Sequence, residues 1–361
     1  MELLKFDDFL ERDENGAYYV PKEQQVRDEV EKNRWKVIGK TVLTDWRLYL
    51  MLVPMILVYI LWKYLPMYEL TGCFRNPGTD IQHVNNQWWV GFHYFINLLG
   101  ADKGVSAPFW NAFRNTFITA FYGLLFGFPV PIILAIFFNE VRSNIARSIM
   151  QVCVYLPKFL STVIVTTLAI MLFRQEVEIS GGGMQEIGLL SRVFLVFGAK
   201  EEVVKAGLIN SSQFYRPIYI ITDLWEHAGY DSIVFFAAVI AVSPTSYEAA
   251  QIDGAGKMAQ MRYVVLPSIL STVVIMLIMK IGSLLSVGYE KIYLLLDNKN
   301  YEVAQVVSTL SNMWSGPDKE GGIANGSAYG MAAEMLNNLI GMILVIGANS
   351  IARKASDVSL Y

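Results

Sequence analysis

The sequence predicts an all-α integral membrane protein with six transmembrane helices, and three observations carry that prediction. Of 361 residues, 54% are hydrophobic and only 17% charged, a balance too apolar for an average soluble domain of this length. Six runs, at 48–65, 116–138, 152–173, 218–242, 268–285 and 328–351, are long enough to cross a bilayer, which takes roughly 20 mostly apolar residues. The basic residues near the ends of those runs collect on one side.

The first element is polar. Residues 1–45 are rich in Lys and Arg and read as an N-terminal extension on the cytoplasmic side. No small-residue cleavage pattern follows the late first apolar run, so this is not a signal peptide. A loosely ordered tail fits best; an amphipathic helix over 23–40 lying on the membrane is the alternative. Residues 46–361 form the transmembrane domain. Arg142 and Arg147 lie between the second and third runs, Lys257 and Arg262 between the fourth and fifth, and Arg353 and Lys354 after the sixth. With six crossings these segments and the tail share one side, so both termini are expected in the cytoplasm. The opposite loops carry aromatics such as Trp89, Phe92 and Trp110, which suit a membrane interface. They also hold Gly181-Gly182-Gly183 and an apolar piece at 189–197 too short to span.

Between the fourth and fifth runs lies a polar island, 244–267. Thr245 to Glu248 reads as a capping box, with Pro244 just before it. Ala249 and Ala250 favour helix, and Asp253-Gly254-Ala255-Gly256 breaks it with a turn. Lys257 to Val265 can form a second short helix, and Pro267 fits the first turn of the next long one. The prediction is a helix–glycine turn–helix knuckle presenting a compact surface outside the membrane.

Catalytic and metal motifs are not apparent. Asp253-Gly254-Ala255-Gly256-Lys257 superficially resembles a phosphate loop, but Gln251 and Met258 stand where that motif needs Gly and Ser or Thr, so ATP binding by this chain is not expected. His83, His93 and His227 lack metal-ligand spacing, and Cys73 and Cys153 support neither a disulfide framework nor a metal site. No cofactor is implied, and the net charge of −3 suggests no nucleic-acid partner. What stands out instead is polarity inside the spans, where charged groups usually face a bundle interior or a watery cavity. Asp223, Glu226, His227 and Tyr230 follow i, i+3, i+4, i+7 spacing, one helical face. Asn337 and Asn338 on the sixth run, and Lys280 on the fifth, add donors. Sugar hydroxyls suit such groups, whereas polar glue between helices is the plainer reading. An acidic stripe opposes an anionic uronate unless Lys280 or a partner residue offsets it, and so favours a neutral glycan.

The knuckle residues Glu248-Ala249-Ala250, Gly254, Val264 and Leu266-Pro267 stand at fixed spacing, and that spacing resembles the signature of permeases of binding-protein-dependent ABC importers. Val264 replaces the usual Ile there and keeps a β-branched side chain. From 45 to 361 the chain is similar to the carbohydrate-type, maltose-permease-like members, most closely the lipo-oligosaccharide and polysaccharide branch. The stretches that carry this are Tyr64-Leu65-Pro66-Met67-Tyr68, Phe126-Gly127-Phe128-Pro129-Val130-Pro131, Tyr155-Leu156-Pro157-Lys158-Phe159, Val287-Gly288-Tyr289-Glu290-Lys291-Ile292 and Ser359-Leu360-Tyr361. The resemblance implies one flanking helix plus a five-helix core in a bacterial plasma membrane. It implies a second permease subunit as heterodimer partner, two cytoplasmic ATPases and an extracytoplasmic solute-binding protein. It further implies that Glu248, Ala249, Ala250, Asp253, Gly254, Leu266 and Pro267 couple ATPase motion to alternating access for an oligosaccharide, and that sugar-contacting groups lie on the helix before the knuckle. The rival readings are an ion-coupled secondary transporter using Asp223, Glu226 and His227 as a relay, an intramembrane enzyme, and an ABC importer permease for a non-sugar solute.

Overall fold

The computed structural model describes residues 42–75, 89–173, 188–198, 207–315 and 325–355, short strands at 11–12, 18–19, 177–179 and 183–185, and the single residues 201 and 204. Most of the N-terminal extension, the 23–40 helix, Gly181-Gly182 and the last six residues lie outside that set. The chain divides into two units, residues 1–70 and 71–361.

In the first unit β1 (Glu11–Arg12) pairs antiparallel with β2 (Tyr18–Tyr19). Helix α1 (Trp46–Tyr59) continues through a π-helical turn, Ile60–Tyr64. No residue of α1 is buried. A helix apolar on all sides yet covered by nothing in its own unit fits lipid as its solvent, since its backbone groups are satisfied within the segment.

The second unit is nearly all helix. In order it holds α2 (His93–Ile96), α3 (Lys103–Gly127), α4 (Pro129–Glu140), α5 (Asn144–Tyr155) and α6 (Thr162–Phe173). A two-stranded hairpin follows, β3 (Val177–Ile179) with β4 (Gly183–Gln185), then α7 (Leu189–Val196), α8 (Tyr215–Ile240), α9 (Pro244–Ile252) and α10 (Lys257–Gln260). The chain closes with α11 (Leu270–Gly282), α12 (Tyr289–Leu295), α13 (Val307–Ser315) and α14 (Gly326–Ala355).

Among the described residues, three helical stretches are long and apolar enough to cross a membrane alone: Trp46–Phe74, Lys103–Glu140 and Gly326–Lys354. Three more qualify only as bent pairs. Asn144–Phe159 meets Thr162–Phe173 at 96°, Tyr215–Ile240 meets Pro244–Ile252 at 68°, and Lys257–Ser268 meets Leu270–Gly282 at 63°. The expected straight run at 152–173 is therefore broken. Pro157 removes a backbone donor, and Leu160 turns extended, with φ −76° and ψ 146°. The bend after α8 has the same kind of cause. Ser243 precedes a proline and adopts φ −58°, ψ 130°, because the ring disfavours helix in the residue before it.

Three clusters hold the second unit together. Leu98, Phe109, Leu310, Trp314 and Ala332 join α3 to α13 and α14. Leu208, Tyr215, Tyr219, Ile292 and Leu295 join α8 to α12. Ile136, Val239, Val242, Val265 and Ile269 anchor the chain on either side of the knuckle. Helix α8 also approaches the end of α5 closely: a Cβ on Gly229 would sit 2.0 Å from the Val154 carbonyl oxygen.

Candidate functional site

The knuckle forms as two short helices around a glycine, with its start two residues earlier than the capping-box reading. The N-cap is Ser243, whose hydroxyl accepts from the Thr245 amide at 3.3 Å, and Pro244 takes the first helical position. Thr245 instead exchanges a hydroxyl contact with Ser243 at 2.7 Å. Proline at the first turn needs no backbone donor, which fixes this start. At the other end Gly254 adopts φ +77°. The Ala255 amide donates to the Ala250 carbonyl at 2.8 Å, and the Gly254 amide to Gln251 at 3.0 Å. That pairing closes a helix through a left-handed residue, which glycine enters without steric cost. The Gln260 side chain then donates to the Ala255 carbonyl at 2.8 Å, bracing the turn. Lys257 reaches back to Glu140 at the end of α4.

This elbow is anchored on one side and open on the other. Val265 and Ile269 are buried against α4 and the end of α8. Glu248, Ala249, Asp253 and Gly254 are exposed, as are Leu266 and Pro267, while Ala250 is half-buried. Ile252 is 86% exposed and Met258 74%. Two large apolar side chains beside a small-residue helix face form a surface suited to a protein partner.

From the knuckle α8 leads back into the bundle, to a cavity of about 500 Å³ between α3, α8, α11 and α12. Asp223, Glu226 and His227 line it. Glu226 is buried: its Oε1 accepts from Thr162 at 3.1 Å and its Oε2 from Lys291 Nζ at 3.2 Å. Lys291, 3% exposed, also lies 3.6 Å from Asp223 Oδ1 and 5.5 Å from the centre of the Tyr219 ring. His227 Nδ1 stands 3.6 Å from the Asp223 carboxylate. Lower on the wall, Lys280 pairs with Asp231 at 3.1 Å. A buried ion pair tolerates its desolvation only with such added partners. Asp223, Glu226 and His227 also bring possible ligand atoms within 4.8 Å of one another. A metal ion there would have to displace the Lys291 ammonium, which already supplies the positive charge both carboxylates require.

The remaining candidates lie elsewhere. Tyr230 is exposed and meets Phe159 edge-on at 6.3 Å. Asn337 is buried and donates to the Leu285 carbonyl at 3.2 Å, tying α14 to the chain after α11. Asn338 is exposed. None of these three lines the cavity. Lys291, within the Val287 to Ile292 stretch, is a functional residue that spacing does not reveal; the signal in the sequence is a lone lysine leading an apolar Ile-Tyr-Leu-Leu-Leu run. Lys291 and Lys280 offset two of the three charges on Glu226, Asp223 and Asp231, so the wall is less acidic than the stripe alone and opposes an anionic glycan less strongly.

Residues 127–287, which include the knuckle and the α8 and α11 parts of the cavity wall, match the family model of the binding-protein-dependent transport system inner membrane component. Over 314 residues the chain is 34% identical to the polygalacturonan/rhamnogalacturonan transport system permease protein YteP of Bacillus subtilis (strain 168), covering 87% of this chain and 90% of that one. The chain belongs to the binding-protein-dependent transport permeases. Protein LplB of the same organism is 31% identical to this permease, over 87% and 91% of the two chains. The permease also superposes on a chain of a crystal structure of a bacterial ABC transporter involved in import of the acidic polysaccharide alginate. The TM-score is 0.73 at 32% identity, covering 88% of this permease and 98% of that chain. A second structure of that kind, in complex with an alginate pentasaccharide-bound periplasmic protein, matches equally. The permease is thus a membrane-embedded transporter subunit, not an enzyme, of a kind that works with a solute-binding protein and an ATPase. An ion relay is not favoured: Glu226, its buried member, is held by Lys291 and Thr162.

Proposed function

We propose that this permease is one half of a heterodimeric pore that imports oligosaccharides across a bacterial plasma membrane, powered by two cytoplasmic ATPases and supplied by an extracytoplasmic binding protein. The observation that carries the reading is the link made by α8: it lines the polar cavity and joins, across a 68° bend, the short helix α9 that ends in the exposed elbow at Gly254. ATPase motion at Glu248, Ala249, Ala250, Asp253, Gly254, Leu266 and Pro267 would tilt α8 and α11 together, since both flank the knuckle. The cavity then binds sugar differently in its two states, and only such a difference lets ATP hydrolysis shift the equilibrium. The six-crossing arrangement, with both termini and the knuckle in the cytoplasm, rests on the basic residues beside the short connections.

Within the cavity Asp223 and His227 are the groups with exposure to spare, so they are the contacts assigned to sugar hydroxyls; Glu226 keeps them in place through Lys291. Asp223→Ala is expected to lower glycan uptake while leaving co-purification with the ATPases intact. Wild-type uptake across sugar concentrations in that variant would move the sugar path away from this cavity.

A further inference from the structure

The end of the second unit away from the knuckle carries charge that nothing else described in the chain balances. Arg114 on α3 stands 26 residues before Glu140, the partner of the knuckle's Lys257. Arg216 on α8 stands 24 residues before Ile240, where that helix ends. At about 1.5 Å per residue both lie roughly 35–40 Å from the knuckle level, past a hydrocarbon core about 30 Å thick. The cavity wall begins just below them, at Thr119 on α3 and Tyr219 on α8.

Arg216 Nη2 donates to Asn115 Oδ1 at 2.9 Å. Asn115 is itself fixed, its amide donating to the carbonyls of Glu302 and Gln305 at 2.8 and 3.0 Å. The Arg216 Nε is buried with no acceptor. Arg114 is exposed and lies close enough to repel the Arg216 charge. Among the described residues neither arginine forms an ion pair, and Glu302, whose backbone anchors the site, pairs with neither. Two neighbouring like charges without a counter-ion are unfavourable on their own. They suit a place where an anion arrives, and a guanidinium matches a carboxylate with paired hydrogen bonds.

We propose that Arg114 and Arg216 form a rim above the cavity that reads sugar carboxylates, so that the permease selects uronate-bearing glycans. The inference rests on the carbohydrate-importer reading and narrows its substrate. The division of labour is electrostatic. The rim meets the carboxylate and draws an anionic glycan to the mouth, while Asp223 and His227 below it meet hydroxyls. Tyr122, two turns beyond Arg114 on α3, offers an exposed ring beside them.

The test uses the complete importer reconstituted in phosphatidylcholine vesicles, which hold no anionic lipid to compete for the rim. Uptake of oligogalacturonate is compared with uptake of its methyl ester for wild type, Arg114→Gln, Arg216→Gln and the corresponding lysine variants. The binding protein is the same in every arm, so differences between arms belong to the permease. Each glutamine variant is expected to raise the half-saturating concentration for the acid by about tenfold or more, the size of a lost charge-assisted hydrogen bond. The ester should be unaffected and lysine should restore part of the loss. Arg114 is exposed, so its variant reports even if Arg216→Gln disturbs the Asn115 network. Equal losses for acid and ester, or no loss for the acid in Arg114→Gln, would overturn the rim assignment alone. ATP-dependent uptake of neither glycan by the wild-type complex would instead remove the carbohydrate reading beneath it.

Discussion

Glu226 and Lys291 do the most at the scale of single residues, because each is buried and each has the other's charge as its main compensation. Removing one partner strands a charge, and for a buried pair that costs about 3–5 kcal/mol. Glu226→Ala and Lys291→Ala should therefore each depress the thermal stability of the detergent-solubilised complex. The double variant Glu226→Gln/Lys291→Met should recover most of the loss. Purely additive losses in that cycle would show that the two groups are not coupled. Gly229 makes a second prediction of the same scale. Its missing side chain admits the Val154 carbonyl, so Gly229→Leu should separate α8 from α5 and prevent assembly, read as loss of the complex on size-exclusion. Gly229, beside the polar stripe, reads in the sequence as room for a close neighbour, whereas the Lys291 pairing does not show there. The i, i+3, i+4 spacing put Asp223, Glu226 and His227 on one face, but Lys291 is 65 residues from Glu226, and a pairing at that separation leaves no periodic trace.

At the scale of elements the knuckle was the most legible part of the chain. Local chemistry determines it: proline starts α9, and glycine ends it in a backbone conformation that other residues resist. The cap was misplaced, because Thr245 and Ser243 are both good caps and the proline between them decides; Pro267 likewise falls before the bend and not in the first turn of α11. The bends were not legible, since apolar runs such as 152–173 read the same whether straight or broken by 96°. At Gly254 a Cβ would meet nothing within 4 Å, so the cost of substitution lies in the backbone alone, about 1–2 kcal/mol for forcing a left-handed conformation. Gly254→Val should leave the permease in the membrane yet abolish glycan-stimulated ATP hydrolysis. Gly254→Asn, which tolerates that conformation better, should keep most of it. Full stimulation in the valine variant would place coupling elsewhere. Glu248→Lys, reversing an exposed charge on α9, should weaken co-purification of the ATPases without altering the fold.

For the whole molecule, the account requires the knuckle and the arginine rim to lie on opposite faces of the membrane. In a Cys153→Ser background, a cysteine at Gln260 should react with an impermeant thiol reagent only after permeabilisation, whereas one at exposed Asn298 should react in intact cells. Labelling of Gln260 from outside would invert the topology. Composition and the six apolar runs made the membrane class plain from sequence, whereas the depth of each polar group became readable only once α3, α8 and α12 were set side by side. The central claim is that ATP hydrolysis on partner subunits drives sugar through this chain, and one measurement addresses it most directly. Uptake of labelled oligosaccharide into vesicles containing the reconstituted importer is followed with and without ATP on the knuckle side, and with a protonophore present. The account predicts uptake that needs ATP and ignores the protonophore; uptake that persists without ATP and collapses with the proton gradient would contradict it.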